Sequence, residues 1–171
     1  MNQAQIDAVF NQYSNVFPVP LGKIADALGI KIISTAELPE GVSGSITKEN
    51  DGYLIYVNST HGSLRQRFTI AHELIHYKKH RSYLDQQHEI QNPTKKALNR
   101  PDGGATAVSD DTERRYEYEA DQGAADLLMP TAEFTSVFKS SDTLEEVVDH
   151  FGVSPAAINV RAYKLNLGYF E

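Results

Sequence analysis

The strongest candidate for a catalytic site in this chain is a stretch of five residues, His72-Glu73-Leu74-Ile75-His76. Two imidazoles four residues apart lie on one face of a helix, about one turn from each other, so both can bind a single Zn²⁺. The glutamate that follows the first histidine then projects beside the metal, where it can take a proton from water. We therefore predict His72 and His76 as metal ligands and Glu73 as a catalytic general base.

The sequence around these histidines predicts a helix over residues 63–79. Its apolar residues recur at i, i+4, i+7 and i+11, which is typical of a helix that buries one face. They are Leu64, Phe68, Ala71 and Ile75. Because the two histidines lie beside this stripe, the core can hold them rigidly.

Three residues that follow the motif, Tyr77, His80 and Tyr83, are candidates for the donor that stabilises an oxyanion. For Tyr77 and His80 we favour the simpler interpretation, in which each packs or makes a surface hydrogen bond.

The third ligand of a catalytic zinc site is expected from a second long helix, predicted over residues 113–129 with Thr112 as its N-cap. Glu117 and Asp121 share one face of this helix, because they are four residues apart. We predict that Glu117 binds the metal and that Asp121 accepts the free N–H of a histidine ligand, which fixes the tautomer of that histidine. Glu119 points elsewhere on the helix and is the alternative ligand.

Composition narrows the class of protein. The chain has 171 residues, the size of one domain, and its net charge of −7 disfavours non-specific binding to nucleic acid or anionic membranes. Cysteine is absent, so a zinc site must use histidine and carboxylate ligands. No signal-peptide pattern begins the chain, and no stretch approaches the roughly 20 apolar residues of a membrane span. We therefore expect a cytoplasmic protein that does not enter a membrane.

The remaining pattern predicts an α+β fold, with helices around a small, mostly antiparallel sheet. Further helices are predicted over residues 4–13, 21–28 and 131–138, then from a cap at Ser141 or Asp142 to Gly152, and from a cap at Ser154. Strands are predicted over residues 31–34, 43–47 and 53–58, the last two as a hairpin. Residues 83–111 are polar and lack periodicity, which predicts a long or partly disordered loop.

The C-terminal segment has the pattern of a helix-turn-helix. A DNA-binding version requires a basic second helix, and this helix offers only Arg161 and Lys164. Residues 142–171 hold five acidic side chains against two basic ones, a net charge of −3. We predict that the segment packs or docks a partner and does not bind DNA directly.

The chain resembles the ImmA/IrrE family of zinc metallopeptidases along most of its length. Residues 65–80, RQRFTIAHELIHYKKH, are similar to the family's RxRFTxAHExxHxxxH run, and residues 117–130, EYEADQGAADLLMP, to its ExEADxFAAxLLMP helix. Residues 18–30 resemble its N-terminal helix, and residues 43–46 with 55–58 its hairpin. Gly123 departs from the pattern, because the family usually has an aromatic residue there, and a glycine could loosen the packing near the site.

We predict a zincin-like metallopeptidase domain over residues 1–140, as the resemblance implies, with a C-terminal helical segment, 141–171, packed on it. The polar loop at 83–111 lies within the first domain, and its length is a departure from the family. The resemblance implies Zn²⁺ held by His72, His76 and Glu117, with Glu73 as the general base. Members of the family act with a helix-turn-helix repressor, which they cleave or otherwise inactivate to release stress, phage or mobile-element genes. The resemblance thus implies an endopeptidase with such a repressor as substrate. The alternative is a non-catalytic, zinc-containing module that sequesters a repressor or toxin.

Overall fold

A computed structural model describes residues 1–49, 52–89, 98–101 and 111–170 of the chain. The elements that it contains follow in chain order. They are α1 (Gln3–Gln12), α2 (Leu21–Leu28), β1 (Ile30–Thr35), β2 (Val42–Glu49), β3 (Gly52–Asn58), α3 (Ser63–Glu89), β4 (Leu98–Pro101), α4 (Asp111–Leu128), α5 (Thr131–Ser140), α6 (Leu144–Phe151) and α7 (Pro155–Lys164). The predicted α+β class is confirmed. None of these helices is both long and apolar enough to cross a membrane.

The four strands form one small sheet in the order β1-β3-β2-β4. β1 is parallel to β3, whereas β2 is antiparallel to both β3 and β4, so the prediction of a mostly antiparallel sheet is confirmed. In the β2–β3 hairpin, Ile46 lies opposite Ile55, and both side chains are fully buried. The tip of this hairpin, residues 50 and 51, lies outside the described residues.

Local sequence signals set several helix ends. Gly29 closes α2 in the left-handed conformation, with φ of 70°, which glycine adopts without steric cost. Ser154 caps α7 through a hydrogen bond that its hydroxyl accepts from the Ala157 N–H, as predicted. The prediction of Ser141 or Asp142 as the cap of α6 is wrong. Thr143 is the cap, and its hydroxyl accepts a hydrogen bond of 3.3 Å from the Glu146 N–H.

The region predicted as a loop over residues 83–111 contains more regular structure than the sequence indicates. α3 runs ten residues past its predicted end, to Glu89, after an interruption of helical geometry at His80 (φ −117°, ψ 19°). Leu84 anchors this extension because it is buried in the core. β4 pairs with β2 through main-chain groups, which polar side chains do not prevent. The rest of the predicted loop, residues 90–97 and 102–110, lies outside the described residues.

The C-terminal helices share the main hydrophobic core. The Phe151 ring lies 5.5 Å from the Phe17 ring and 5.5 Å from the Phe134 ring, so α6 joins α5 to the segment before α2. On α7, the Arg161 guanidinium donates to the Met129 carbonyl (3.1 Å). Residues 141–170 therefore contact the other elements through α6 and α7, and the division of the chain at residue 140 stays a prediction.

Candidate metal centre

The two helices that carry the predicted ligands, α3 and α4, lie against each other at small side chains. Ala120 and Ala124 are fully buried in this interface. A Cβ atom added to Gly123 would lie only 2.6 Å from Cγ2 of Ile75. The expectation that this glycine loosens the packing is therefore wrong. The absence of a side chain is what allows α4 to approach α3 so closely.

Three predicted ligands meet in this interface. His72 Nε2 lies 3.2 Å from Glu117 Oε2, and His76 Nε2 lies 3.1 Å from Glu117 Oε1. The two Nε2 atoms are 2.9 Å apart. One donor atom from each of the three residues lies within 4.8 Å of the others, and all three residues are buried. The group could hold a metal ion, with two imidazoles and one carboxylate as ligands.

The bonding of these atoms fits a divalent cation. Within the described residues, neither carboxylate oxygen of Glu117 makes a hydrogen bond of good geometry, although both lie near imidazole nitrogens. A buried carboxylate is costly unless it is paired or binds a metal. The two Nε2 atoms, 2.9 Å apart, hold at most one proton between them, so at least one of them presents a lone pair to the centre. A cation between the three side chains would satisfy all of them.

Asp121 lies behind His72, on the side away from the other ligands. His72 Nδ1 is 2.9 Å from Asp121 Oδ1. An ionised carboxylate can only accept, so His72 Nδ1–H is the donor and His72 Nε2 is the atom that faces Glu117 and His76. Asp121 thus contacts the histidine that it is predicted to orient, and its action on a metal-bound histidine stays a prediction.

Burial and neighbouring charges shift the pKa values of the ligands in different directions. Burial lowers the pKa of His72, but its contacts with Asp121 and Glu117 outweigh burial and raise the pKa to about 9. Burial lowers the pKa of His76 to about 4. For Glu117, burial raises the pKa, but the contacts with both histidines lower it to about 2. Without a metal, His76 is thus neutral, Glu117 is ionised, and His72 retains a proton that a cation must displace.

Glu73 is fully buried where α3 crosses β2. A Cβ atom added to Gly44 of β2 would overlap Cγ2 of Thr69 and would lie 3.5 Å from Oε1 of Glu73. The strand therefore passes directly over this part of the helix. Because the strand approaches so closely, it restricts the space around the Glu73 carboxylate. Glu73 lies on the same helix as the two histidines.

His80 makes one set of contacts that the sequence does not predict. His80 Nδ1 lies 3.0 Å from His76 Nδ1, and His80 Nε2 lies 3.0 Å from Glu119 Oε2. Glu119, the alternative ligand, therefore contacts His80 and is not part of the three-ligand group. The i, i+4 spacing of His76 and His80 is the signal that could have indicated this pair.

The other two candidates for an oxyanion donor, Tyr77 and Tyr83, contact residues outside the three-ligand group. Tyr77 is buried and packs edge-on against Tyr53, with 4.8 Å between the ring centroids. The Tyr83 hydroxyl donates a hydrogen bond of 3.0 Å to Glu113. The packing interpretation of Tyr77 agrees with its surroundings, and neither tyrosine contacts the three ligands through these groups.

A groove of about 540 Å³ lies beside the centre, between the beginning of α3, the second half of α4 and α7. Its lining is mostly apolar and includes Phe68, Met129 and Val160. Asp121, which contacts His72 through its carboxylate, is also one of the residues that line the groove.

Known proteins resemble this chain in sequence and in fold. The family model Peptidase_M78, described as the IrrE N-terminal-like domain, matches residues 25–163. A solved structure of a Mycobacterium tuberculosis transcriptional regulator is similar in fold, with a TM-score of 0.55 and 16% sequence identity, over 93% of this chain and 45% of that one. This chain thus spans less than half the length of the regulator. No curated protein matches the chain.

Proposed function

The chain belongs to the IrrE N-terminal-like family of peptidase domains, and we propose that it is a zinc-dependent endopeptidase that cleaves a helix-turn-helix type transcriptional repressor. The observation that carries the proposal is the buried group of His72, His76 and Glu117, with Glu73 on the same helix as both histidines. A purely structural zinc site has no need of a buried glutamate at that position. The similarity in fold to a transcriptional regulator is compatible with a partner that controls transcription.

The side chains of the centre have separate tasks in the proposed reaction. His72, His76 and Glu117 would hold Zn²⁺, which would supply a Lewis acid at the scissile carbonyl. Glu73 accepts the proton of the attacking water and returns it to the leaving amine. Asp121 keeps the proton of His72 on Nδ1, so that Nε2 stays available as a ligand. Glu117 supplies the negative charge, because its low pKa keeps it ionised at neutral pH.

The proposal is tested by metal analysis followed by co-expression with a repressor encoded beside this gene. We expect one zinc per chain in the wild type, and its loss in Glu117→Ala. We expect the repressor to be cut by the wild type and left intact by Glu73→Gln. Glu145→Gln removes a similar charge from an exposed position of α6 and serves as the matched control.

Two results would contradict the proposal. A wild type without zinc would mean that the three side chains hold another metal or none. Zinc-loaded protein that binds the repressor without cutting it would favour the alternative function, a non-catalytic module that sequesters its partner.

A further inference from the structure

Three histidines lie one turn apart along α3, and each contacts the next. His72 and His76 face Glu117, whereas His80 faces away from it and contacts the other side of the His76 ring. The Nδ1 atoms of His76 and His80 are 3.0 Å apart. The Nδ1 atom of His76 therefore has a histidine as its partner, where the Nδ1 atom of His72 has the carboxylate of Asp121.

When His76 and His80 are both uncharged, counting protons along this chain of contacts leaves one assignment of tautomers. The Glu119 carboxylate can only accept, so His80 Nε2, at 3.0 Å, carries a proton. The Nδ1 atom of neutral His80 then has none, and it accepts from His76 Nδ1–H. His76 Nε2 is left with a lone pair that faces Glu117 and His72. The opposite assignment would put the proton of His76 on Nε2 and prevent that atom from binding a metal.

The surroundings of His80 hold its ring in place. The residue is only 6% exposed, and its ring stacks on Tyr116 of α4 with 4.4 Å between centroids. Tyr83 packs edge-on against the other ring of this stack, Tyr116. The helical geometry of α3 is interrupted at His80 itself, so the backbone of this residue departs from the regular path of the helix.

We propose that His80 and Glu119 form a hydrogen-bond relay that fixes the tautomer of His76 and so prepares its Nε2 for the metal. This inference rests on the proposed zinc site. Each histidine ligand then has a carboxylate behind it: Asp121 acts directly on His72, and Glu119 acts on His76 through His80. His80 is a positioning residue, because its two nitrogens are used by His76 and Glu119.

The relay is tested with substitutions that separate hydrogen bonding from packing. His80→Phe keeps an aromatic ring on Tyr116 but removes the acceptor for His76. His80→Asn places an amide oxygen near the former Nδ1 and retains an acceptor. Because groups behind a ligand typically change metal affinity about 10- to 100-fold, we expect His80→Phe to weaken zinc binding by that factor. His80→Asn should recover most of the loss. Zinc affinity is measured by competition with a chelator.

Two further measurements guard against a purely structural effect. Nitrogen NMR of the zinc-loaded wild type should show the His76 proton on Nδ1, and thermal unfolding of the metal-free variants should confirm that they fold. Glu119 is 41% exposed at its side chain, so it can be changed with little risk to folding. Glu119→Leu should weaken zinc binding, whereas Glu119→Gln, which keeps an acceptor, should weaken it less.

The outcomes separate this inference from the proposed function. Zinc affinity within about twofold of wild type in both His80→Phe and Glu119→Leu would overturn the relay, as would equal losses in His80→Phe and His80→Asn. Loss of affinity in the predicted order, in a protein that cuts no repressor, would keep the relay and overturn the peptidase. A wild type that binds no zinc would overturn both.

Discussion

Glu73 is the residue whose replacement best separates metal binding from chemistry. Its carboxylate is fully buried on α3 but is not one of the three grouped ligands. Glu73→Gln keeps the size of the side chain and removes its basicity. We expect it to retain zinc and to lower the cleavage rate by about 10²- to 10⁴-fold, the usual contribution of a general base. The rate is measured per mole of bound zinc. Cleavage at more than about a tenth of the wild-type rate would exclude Glu73 as the base.

His72 should make the stability of the metal-free protein fall at alkaline pH. Its pKa is raised from 6.5 to about 9 by its carboxylate partners, so the stabilisation is complete below pH 6.5 and is lost as the pH rises through 9. We expect a loss of about 3 kcal/mol in the free energy of unfolding. Urea unfolding in the presence of a chelator, from pH 6.5 to 9, measures it. Asp121→Asn should flatten this decline, and an unchanged decline would contradict the assignment.

The other two predicted ligands, His76 and Glu117, determine how the stability of the metal-free protein changes at acidic pH. His76 is buried with a pKa lowered to about 4, so the unfolded state takes up its proton first, and stability falls between pH 6.5 and 4. The pKa of Glu117 is lowered from 4.5 to about 2, so its stabilisation is complete above pH 4.5 and is lost as the pH falls through 2. The metal-free protein should therefore be most stable near pH 6.5, as the same urea series at lower pH would show.

At the scale of helices, Gly123 controls how closely α3 and α4 approach. A methyl group at this position would meet Ile75, with 2.6 Å between Cβ and Cγ2. We expect Gly123→Ala to destabilise the fold by about 1–3 kcal/mol, because a packed interface must open, and to weaken zinc binding as the ligands move apart. Thermal unfolding and chelator competition measure the two effects.

Gly22 of α2 supplies the control for that substitution. It is also helical, but a Cβ atom there would meet nothing within 4 Å. Gly22→Ala should leave zinc binding unchanged and stabilise the protein by about 0.4–1 kcal/mol, because alanine lowers the entropy of the unfolded chain. If both alanine variants had the same stability, the close contact at Gly123 would have no effect on the free energy of unfolding.

Elements with local chemical signals could be predicted from the sequence. The bounds of α2 follow from its apolar pattern and Gly29, and the beginning of α7 follows from Ser154 with Pro155. The cap of α6 could not be chosen, because three adjacent residues, Ser141, Asp142 and Thr143, can all accept the same hydrogen bond. β4 was missed because its pairing uses main-chain groups and leaves little pattern in the side chains.

The part of the candidate site that lies within single helices could also be predicted from the sequence. Spacing within one helix brought His72 and His76 to one face, and spacing within another did the same for Glu117 and Asp121. The contact between His80 and Glu119 depends on the rotation of α4 relative to α3, over 39 residues of sequence separation. No periodicity within a single helix encodes such a rotation.

For the molecule as a whole, Arg67 joins distant parts of the chain. Its guanidinium donates to the Gly152 carbonyl and to the Val19 carbonyl, both at 3.0 Å. Lysine cannot reproduce this forked geometry. We therefore expect Arg67→Lys to lower the free energy of unfolding by about 1–3 kcal/mol, because both carbonyls lose a charged donor. Urea unfolding measures the loss. Arg115→Lys, at a side chain that is 65% exposed, should change it by less than about 0.5 kcal/mol. Equal effects would mean that Arg67 does not hold these segments together.

The ligands of the centre come from two stretches of chain that lie on either side of residues 102–110. The chain could be expressed as two polypeptides, residues 1–101 with both histidines and residues 111–171 with Glu117. Neither polypeptide would contain the complete set of proposed ligands. If the mixed halves recover the shared core, zinc should favour the assembled pair, because only the pair supplies His72, His76 and Glu117 together. Zinc-dependent co-purification of the two halves, abolished by Glu117→Ala, would turn the metal centre into a readout of reassembly.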